Sequence, residues 1–164
     1  MDNAVLLALV MSCAPQVDVG TARALIAVES GFNPFAIGVV GGVLQRQPTG
    51  RNEAIATAKA LQASGWNFSV GLAQINRHNF DRLGLSVETA FEPCANLAAM
   101  QTVLAECFDR ASGSAAKAAD QLALRQALSC YYSGNFATGF RHGYVRKVVV
   151  AARAVSTAQP KEKV

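Results

Sequence analysis

The chain has 164 residues, 51% of them hydrophobic and 16% charged, with a formal net charge of +4. That is enough apolar chain to bury one sizeable core, and the Ala-rich stretches argue for a compact, mostly helical globule. No run of Lys or Arg is long or interleaved with aromatics, so nucleic-acid binding is not indicated, and the mild basicity suits an anionic partner without selecting one.

Four cysteines, Cys13, Cys94, Cys107 and Cys130, form an even set without CxxC spacing, and His78 and His142 stand alone. A zinc site is therefore not expected. Two disulfides in an oxidising compartment and four buried thiols both fit the spacing. Residues 5–11 are apolar, but Asp2 precedes them and no basic segment does. The run falls far short of the roughly 20 residues that span a bilayer, so it reads as a short helix of the mature protein, with no transmembrane segment expected.

In chain order, residues 3–12 read as a first helix, stopped by Ala14-Pro15. A second, over 19–30, has Asp18 as N-cap and Gly31 at its C-terminal turn, with Asn33-Pro34 closing the segment. Its Ala22, Leu25, Ile26 and Glu29 fall at i, i+3, i+4 and i+7, one side of a helix, so Glu29 continues a stripe that is otherwise apolar. A carboxylate there is either paired or partly desolvated, and desolvation favours the protonated form that a general acid near neutrality requires. On this helix alone a surface or capping glutamate fits equally well.

Residues 35–47 place Gly41-Gly42 between two β-prone runs, a hairpin signal ending at Pro48. Residues 52–64 form an amphipathic helix ended by Gly65. Phe68, Val70 and Leu72 alternate like a short strand, and Gly71 allows a close backbone approach, after which Gln74 and Asn76 present amides. A short helix over 77–83 ends at Gly84, and a longer one runs from Pro93-Cys94 to about residue 110. After a loop at 111–116 come helices over 117–132, broken at Ser133-Gly134-Asn135, and 144–155. Residues 156–164 read as a disordered tail, leaving 1–155 as one domain. There is no internal repeat and no GxxxxGK[ST] phosphate loop. The class is α+β: a mostly helical fold with a small antiparallel β patch.

Three polar groupings interrupt apolar segments at the ends of predicted elements: Glu29-Ser30, Gly71-Leu72-Ala73-Gln74-Ile75-Asn76, and Tyr131-Tyr132-Ser133-Gly134-Asn135. One carboxylate with amides and tyrosines suits an uncharged, hydroxyl-rich ligand such as a glycan. Ser30 also suits a helix end, Gly71 and Ile75 a structural role, and Tyr131 a core position.

These groupings resemble, in order, the Glu-Ser, Gly-Leu-Met-Gln-Ile and Tyr-Asn-x-Gly motifs of lysozyme-like lytic transglycosylases. The stretches SGFNPFAIGVV, NFSVGLAQIN and SCYYSGNF resemble the subgroup that opens the cell wall for bacterial type IV secretion systems, and the likeness spans about residues 13–153. There are two departures: Ala73 replaces the usual Met, and Tyr132 stands where the general family has Asn, so that amide contact comes from Asn135 or from nothing.

The resemblance implies a goose-type, soluble-lytic-transglycosylase-like fold in the periplasm. The implied reaction cleaves the β-1,4 bond between N-acetylmuramic acid and N-acetylglucosamine, leaving a 1,6-anhydro end. Glu29 would be the catalytic acid and then base. Ser30, Gln74, Asn76, Tyr131 and Asn135 would contact substrate, and Gly71, Ile75 and Tyr132 would line the groove. The implied partners are peptidoglycan strands and other type IV secretion components, with no cofactor or metal. It also implies a Cys13–Cys94 pairing, which leaves Cys107 with Cys130; four cysteines allow three connectivities. Between Glu29 and Asp81 the one acid is Glu53, on the exposed face of its predicted helix. A retaining or inverting hydrolase normally needs a second carboxylate at a set distance. A single-acid reaction aided by the substrate's N-acetyl group suits its absence better. The alternative is a wall-binding assembly factor with weak or no turnover, for which the Tyr132 departure is the best argument.

Overall fold

The computed structural model describes residues 1–112 and 120–157. They fall into two compact units, 1–100 and 101 onward.

In the first unit, Asp2 accepts a hydrogen bond from the Ala4 N–H at 2.9 Å and starts α1 (Asn3–Cys13). This helix buries Leu6, Val10 and Cys13 and packs against α2 (Val19–Ser30). The expected cap of α2 forms: the Asp18 carboxylate accepts from the Thr21 N–H at 2.8 Å. At the other end Gly31 adopts φ +57° and returns its N–H to the Ala27 carbonyl. A side chain with a Cβ resists that left-handed conformation, so glycine stops the helix there.

The sheet has three antiparallel strands in the order β1 (Ile37–Val39), β2 (Phe68–Val70), β3 (Ile75–Asn76). Ile37 faces Val70 and Val39 faces Phe68; Ser69 and Val70 face Asn76 and Ile75. The hairpin expected at Gly41-Gly42 does not form. β1 pairs with β2 instead, and residues 43–47 make no strand. The reason lies in Gln47. Its side-chain amide accepts from the Ile37 N–H at 2.8 Å and donates to the Ile37 carbonyl at 2.9 Å. One side chain thus satisfies the outer edge of β1, where a second hairpin strand would have bonded.

Helix α3 (Arg51–Ala63) packs on β2 and on the four-residue α4 (Val87–Ala90), which periodicity does not reveal. Between β3 and α4 the expected helix is two 3₁₀ turns, Arg77–Asn79 and Asp81–Leu83. Helix α5 (Pro93–Ser112) supplies Asn96, Leu97 and Met100 to the core of this unit. Of the expected 111–116 loop, Ala111 and Ser112 belong to α5, and the rest lies outside the described residues.

The second unit contains α6 (Asp120–Ser133), the unanticipated α7 (Thr138–Arg141) and α8 (Tyr144–Thr157), each in contact with the other two. Residues 117–119 and 158–164 of the expected last helices and tail lie outside the described residues. Gly139 makes the α6–α7 approach possible, since a Cβ there would come within 2.6 Å of the Ser129 Cα.

Both expected disulfides are present. Cys13–Cys94 joins α1 to the start of α5, and Cys107–Cys130 joins α5 to α6. The first crosslinks residues 81 apart, and closing so long a loop removes the more entropy from the unfolded chain. Loss of Cys13–Cys94, as Cys13→Ser/Cys94→Ser, is expected to cost about 3–4 kcal/mol, read as a lower urea midpoint.

Glu53, in the first turn of α3, is ion-paired with Arg46 and accepts from the Thr49 N–H at 2.9 Å. The bond from the Arg46 guanidinium, with those from Thr49, holds its carboxyl down at about 2, from an ordinary 4.5. A depressed carboxyl contributes stability above its unfolded value and loses it as pH falls through the folded one. The Tm of Glu53→Gln should therefore lie below that of the parent at pH 7. The gap should close as pH falls from 4.5 towards 2.

Candidate active site

Helix α2 carries its buried stripe, Ala22, Leu25 and Ile26, directly into Glu29, which is half-buried. The carboxylate thus sits where an apolar face reaches a helix end. Ser30 donates its hydroxyl to the Ile26 carbonyl at 3.2 Å and takes part in ending the helix. The chain then makes two successive left-handed residues, Gly31 and Phe32, the latter at φ +66°. Asn33 closes the turn, its side chain accepting from the Phe35 N–H at 2.9 Å.

Six residues beyond Ser30, the carbonyl of Ala36 receives the Gly71 N–H at 2.9 Å and the Gln74 Nε2 at 3.1 Å. This carbonyl ties the exit of the Glu29 helix to the Gly71–Gln74 turn between β2 and β3. Gln74 also donates Nε2 to the Gly71 carbonyl at 3.0 Å. Both amide hydrogens are engaged, so its contact with any ligand would be made through Oε1. That oxygen lies over β1 because Gly38 has no side chain; a Cβ there would meet it at 2.7 Å. Among the described residues, the non-glycine positions with positive φ are Phe32 and Gln74 (+49°). Such backbone is costly and tends to be kept where function demands it. Both lie in the segments singled out from sequence.

Asn96 is the residue sequence reasoning missed. It is 1% exposed. Its Oδ1 accepts from the Ala73 N–H at 2.8 Å, and its Nδ2 donates to the carbonyls of Val70 (3.0 Å) and Ala90 (2.8 Å). One side chain therefore holds both ends of the turn that carries Gln74. Gly71, at φ +80°, gives it room, since a Cβ would stand 2.4 Å from Nδ2. The signal was an asparagine on a stripe with Leu97, Met100 and Leu104.

The other expected positions sort as follows. Ile75, 2% exposed, is a core residue of the sheet facing Val70. Asn76 donates Nδ2 to Asn67 and Ser69 and accepts from the His78 N–H at 3.0 Å, bracing β3 and starting the next turn. In the second unit Tyr131 is half-buried and Tyr132 exposed. Asn135 accepts from the N–H groups of Ala137 (3.0 Å) and Thr138 (2.8 Å) at the start of α7. Its amide oxygen is thereby engaged in local structure.

Between Glu29 and Asp81 the one further carboxylate is Glu53, already held ionised by Arg46. A cavity of about 480 Å³ beside α3 and α4 is lined by Lys59, Arg77, His78 and Glu88, among others, and by none of the expected site residues. Lys59 and Glu88 are ion-paired there. No group of three or more potential metal ligands occurs among the described residues.

Residues 7–148 match the family described as Transglycosylase SLT domain. The chain belongs to that family. The mostly helical fold with its small antiparallel sheet is the lysozyme-like one expected. This SLT domain is 50% identical over 151 residues to the type IV secretion system protein virB1 of Brucella abortus biovar 1, covering 89% of this chain and 63% of that protein. It is 38% identical over 157 residues to the protein virB1 of Agrobacterium fabrum, covering 92% of this chain and 61% of that one. The SLT domain chain thus spans less than two thirds of the length of these curated relatives. No solved structure matches it. No helix among the described residues is long and apolar enough to cross a membrane.

Proposed function

We propose that the protein is a peptidoglycan lytic transglycosylase of the periplasm that opens the wall locally for a type IV secretion system. The observation that carries this reading is the position of Glu29. It is a half-buried acid ending a buried stripe, while Glu53, the one acid between it and Asp81, is held ionised by Arg46. The SLT family match and the type IV secretion names of the relatives support the substrate and the setting.

In this mechanism Glu29 gives its proton to the glycosidic oxygen, and the bond from C1 of N-acetylmuramic acid to that oxygen breaks. N-acetylglucosamine leaves with a 4-hydroxyl. The substrate's N-acetyl group shares the positive charge at C1. The Glu29 carboxylate then takes the proton from the C6 hydroxyl as O6 bonds to C1. The 1,6-anhydro ring closes, and the acid is regenerated without water entering. One carboxyl is enough because the nucleophile belongs to the substrate, whereas hydrolysis with two carboxylates needs the second at a set separation. Ser30 and Gln74 are proposed to contact the glycan, and Tyr131 of the second unit is proposed as a further glycan contact.

The second reading, a wall-binding assembly factor, draws on Tyr132 and on Asn135, whose amide oxygen caps α7. Incubation with purified peptidoglycan separates the two. Turnover predicts soluble fragments that accumulate with time; co-sedimentation without release would support the binding role and overturn the enzymatic one.

A further inference from the structure

Tyr132 is a large, exposed aromatic whose ring is held on two sides. One face stacks on Tyr144, with centroids 4.6 Å apart and planes 19° from parallel. His142 packs against it edge-on at 5.9 Å, and the phenol oxygen lies 3.3 Å from His142 Nδ1. Tyr144 is buried, so the stack is anchored in the core of its unit. Yet Tyr132 remains 45% exposed. With one face covered and the hydroxyl tied down, the open surface is the opposite ring face.

We propose that this face is a stacking platform for a pyranose ring of the glycan. The inference rests on the glycan reading given above. A π face is electron-rich and attracts partially positive C–H groups, which a pyranose presents on its flatter side. The rim fits the same occupant: the phenol and the exposed imidazole of His142 offer hydrogen-bonding atoms at the edge of the ring, where sugar hydroxyls project. Because Tyr144 and His142 already fix the ring, binding freezes little further motion, the advantage of a preorganised contact. Tyr132 acts as a binding residue with no part in proton transfer.

The test uses Glu29→Gln protein, to prevent turnover, and an N-acetylglucosamine pentasaccharide as probe, with affinity and ligand proton shifts read by NMR. Expected are upfield ring-current shifts of sugar C–H protons. Tyr132→Ala should bind about tenfold more weakly and lose those shifts, and Tyr132→Phe, which keeps the face, should stay within about threefold of the parent. Unchanged affinity in Tyr132→Ala, or binding without ring-current shifts, would overturn the platform while leaving the glycan reading intact. If the Tyr132-containing protein binds neither pentasaccharide nor peptidoglycan, the glycan reading fails, and the platform fails with it.

Discussion

Glu29→Gln is expected to lower release of soluble fragments from peptidoglycan by about a thousandfold or more, with little change in stability. General acid–base catalysis by one positioned group contributes on the order of 10²–10⁴ in rate, and in the proposed reaction a single carboxyl serves both half-steps. Glutamine keeps the shape and the half-buried seat at the end of α2 but can neither give nor take the proton. Its Tm should stay within the shift that about 1 kcal/mol produces. A loss of activity matched by a collapse of Tm would mean that Glu29 is a structural residue. Activity close to the parent's would place the catalytic acid elsewhere. Because the reaction starts from the protonated acid, the parent's rate should decline on the alkaline side; a rate still climbing past about pH 9 would contradict the assignment.

The second large effect belongs to Asn96. Asn96→Leu is close in volume but orphans the Ala73 N–H and the carbonyls of Val70 and Ala90, all bonded to Asn96 in the buried core. Each buried polar group left without its partner costs about 1–3 kcal/mol. With partial relaxation, about 4 kcal/mol in total is expected, or a Tm lowered by about 10 °C. Activity measured well below the new Tm should fall too, since the turn held by Asn96 is the one that carries Gln74. A Tm within 2 °C or so of the parent's would show that the network adds little.

How much was legible in sequence depended on whether the determining interaction was local. The ends of α2 were readable because Asp18 and Gly31 act within a few residues of themselves, through a carboxylate cap and a left-handed turn. The close approach at Gly71 was readable because only glycine tolerates it. The hairpin at Gly41-Gly42 was misread because strand pairing is non-local. The competing partner, β2, lies about thirty residues away, and a single side chain, Gln47, satisfies the edge that a hairpin strand would have covered. The four-residue helices α4 and α7 are too short for periodicity to register. Even so, Ser86 and Thr89 form a reciprocal cap that could have announced α4. Asn96 escaped notice because two of its three partners, Val70 and Ala73, lie more than twenty residues before it, and the third, Ala90, ends a helix too short for periodicity to reveal. Of the candidate site, Glu29 and Gln74 stood out as polar groups interrupting apolar segments. The local roles of Asn76 and Asn135, bracing a strand and starting a helix, emerged only with the backbone in place.

Mass spectrometry of the soluble products from purified peptidoglycan addresses most directly the idea of one carboxyl acting on a nucleophile that the sugar itself provides. Fragments ending in 1,6-anhydro-N-acetylmuramic acid, formed by the parent and lost in Glu29→Gln, are the predicted result. Fragments with reducing ends carrying oxygen from labelled water would contradict it.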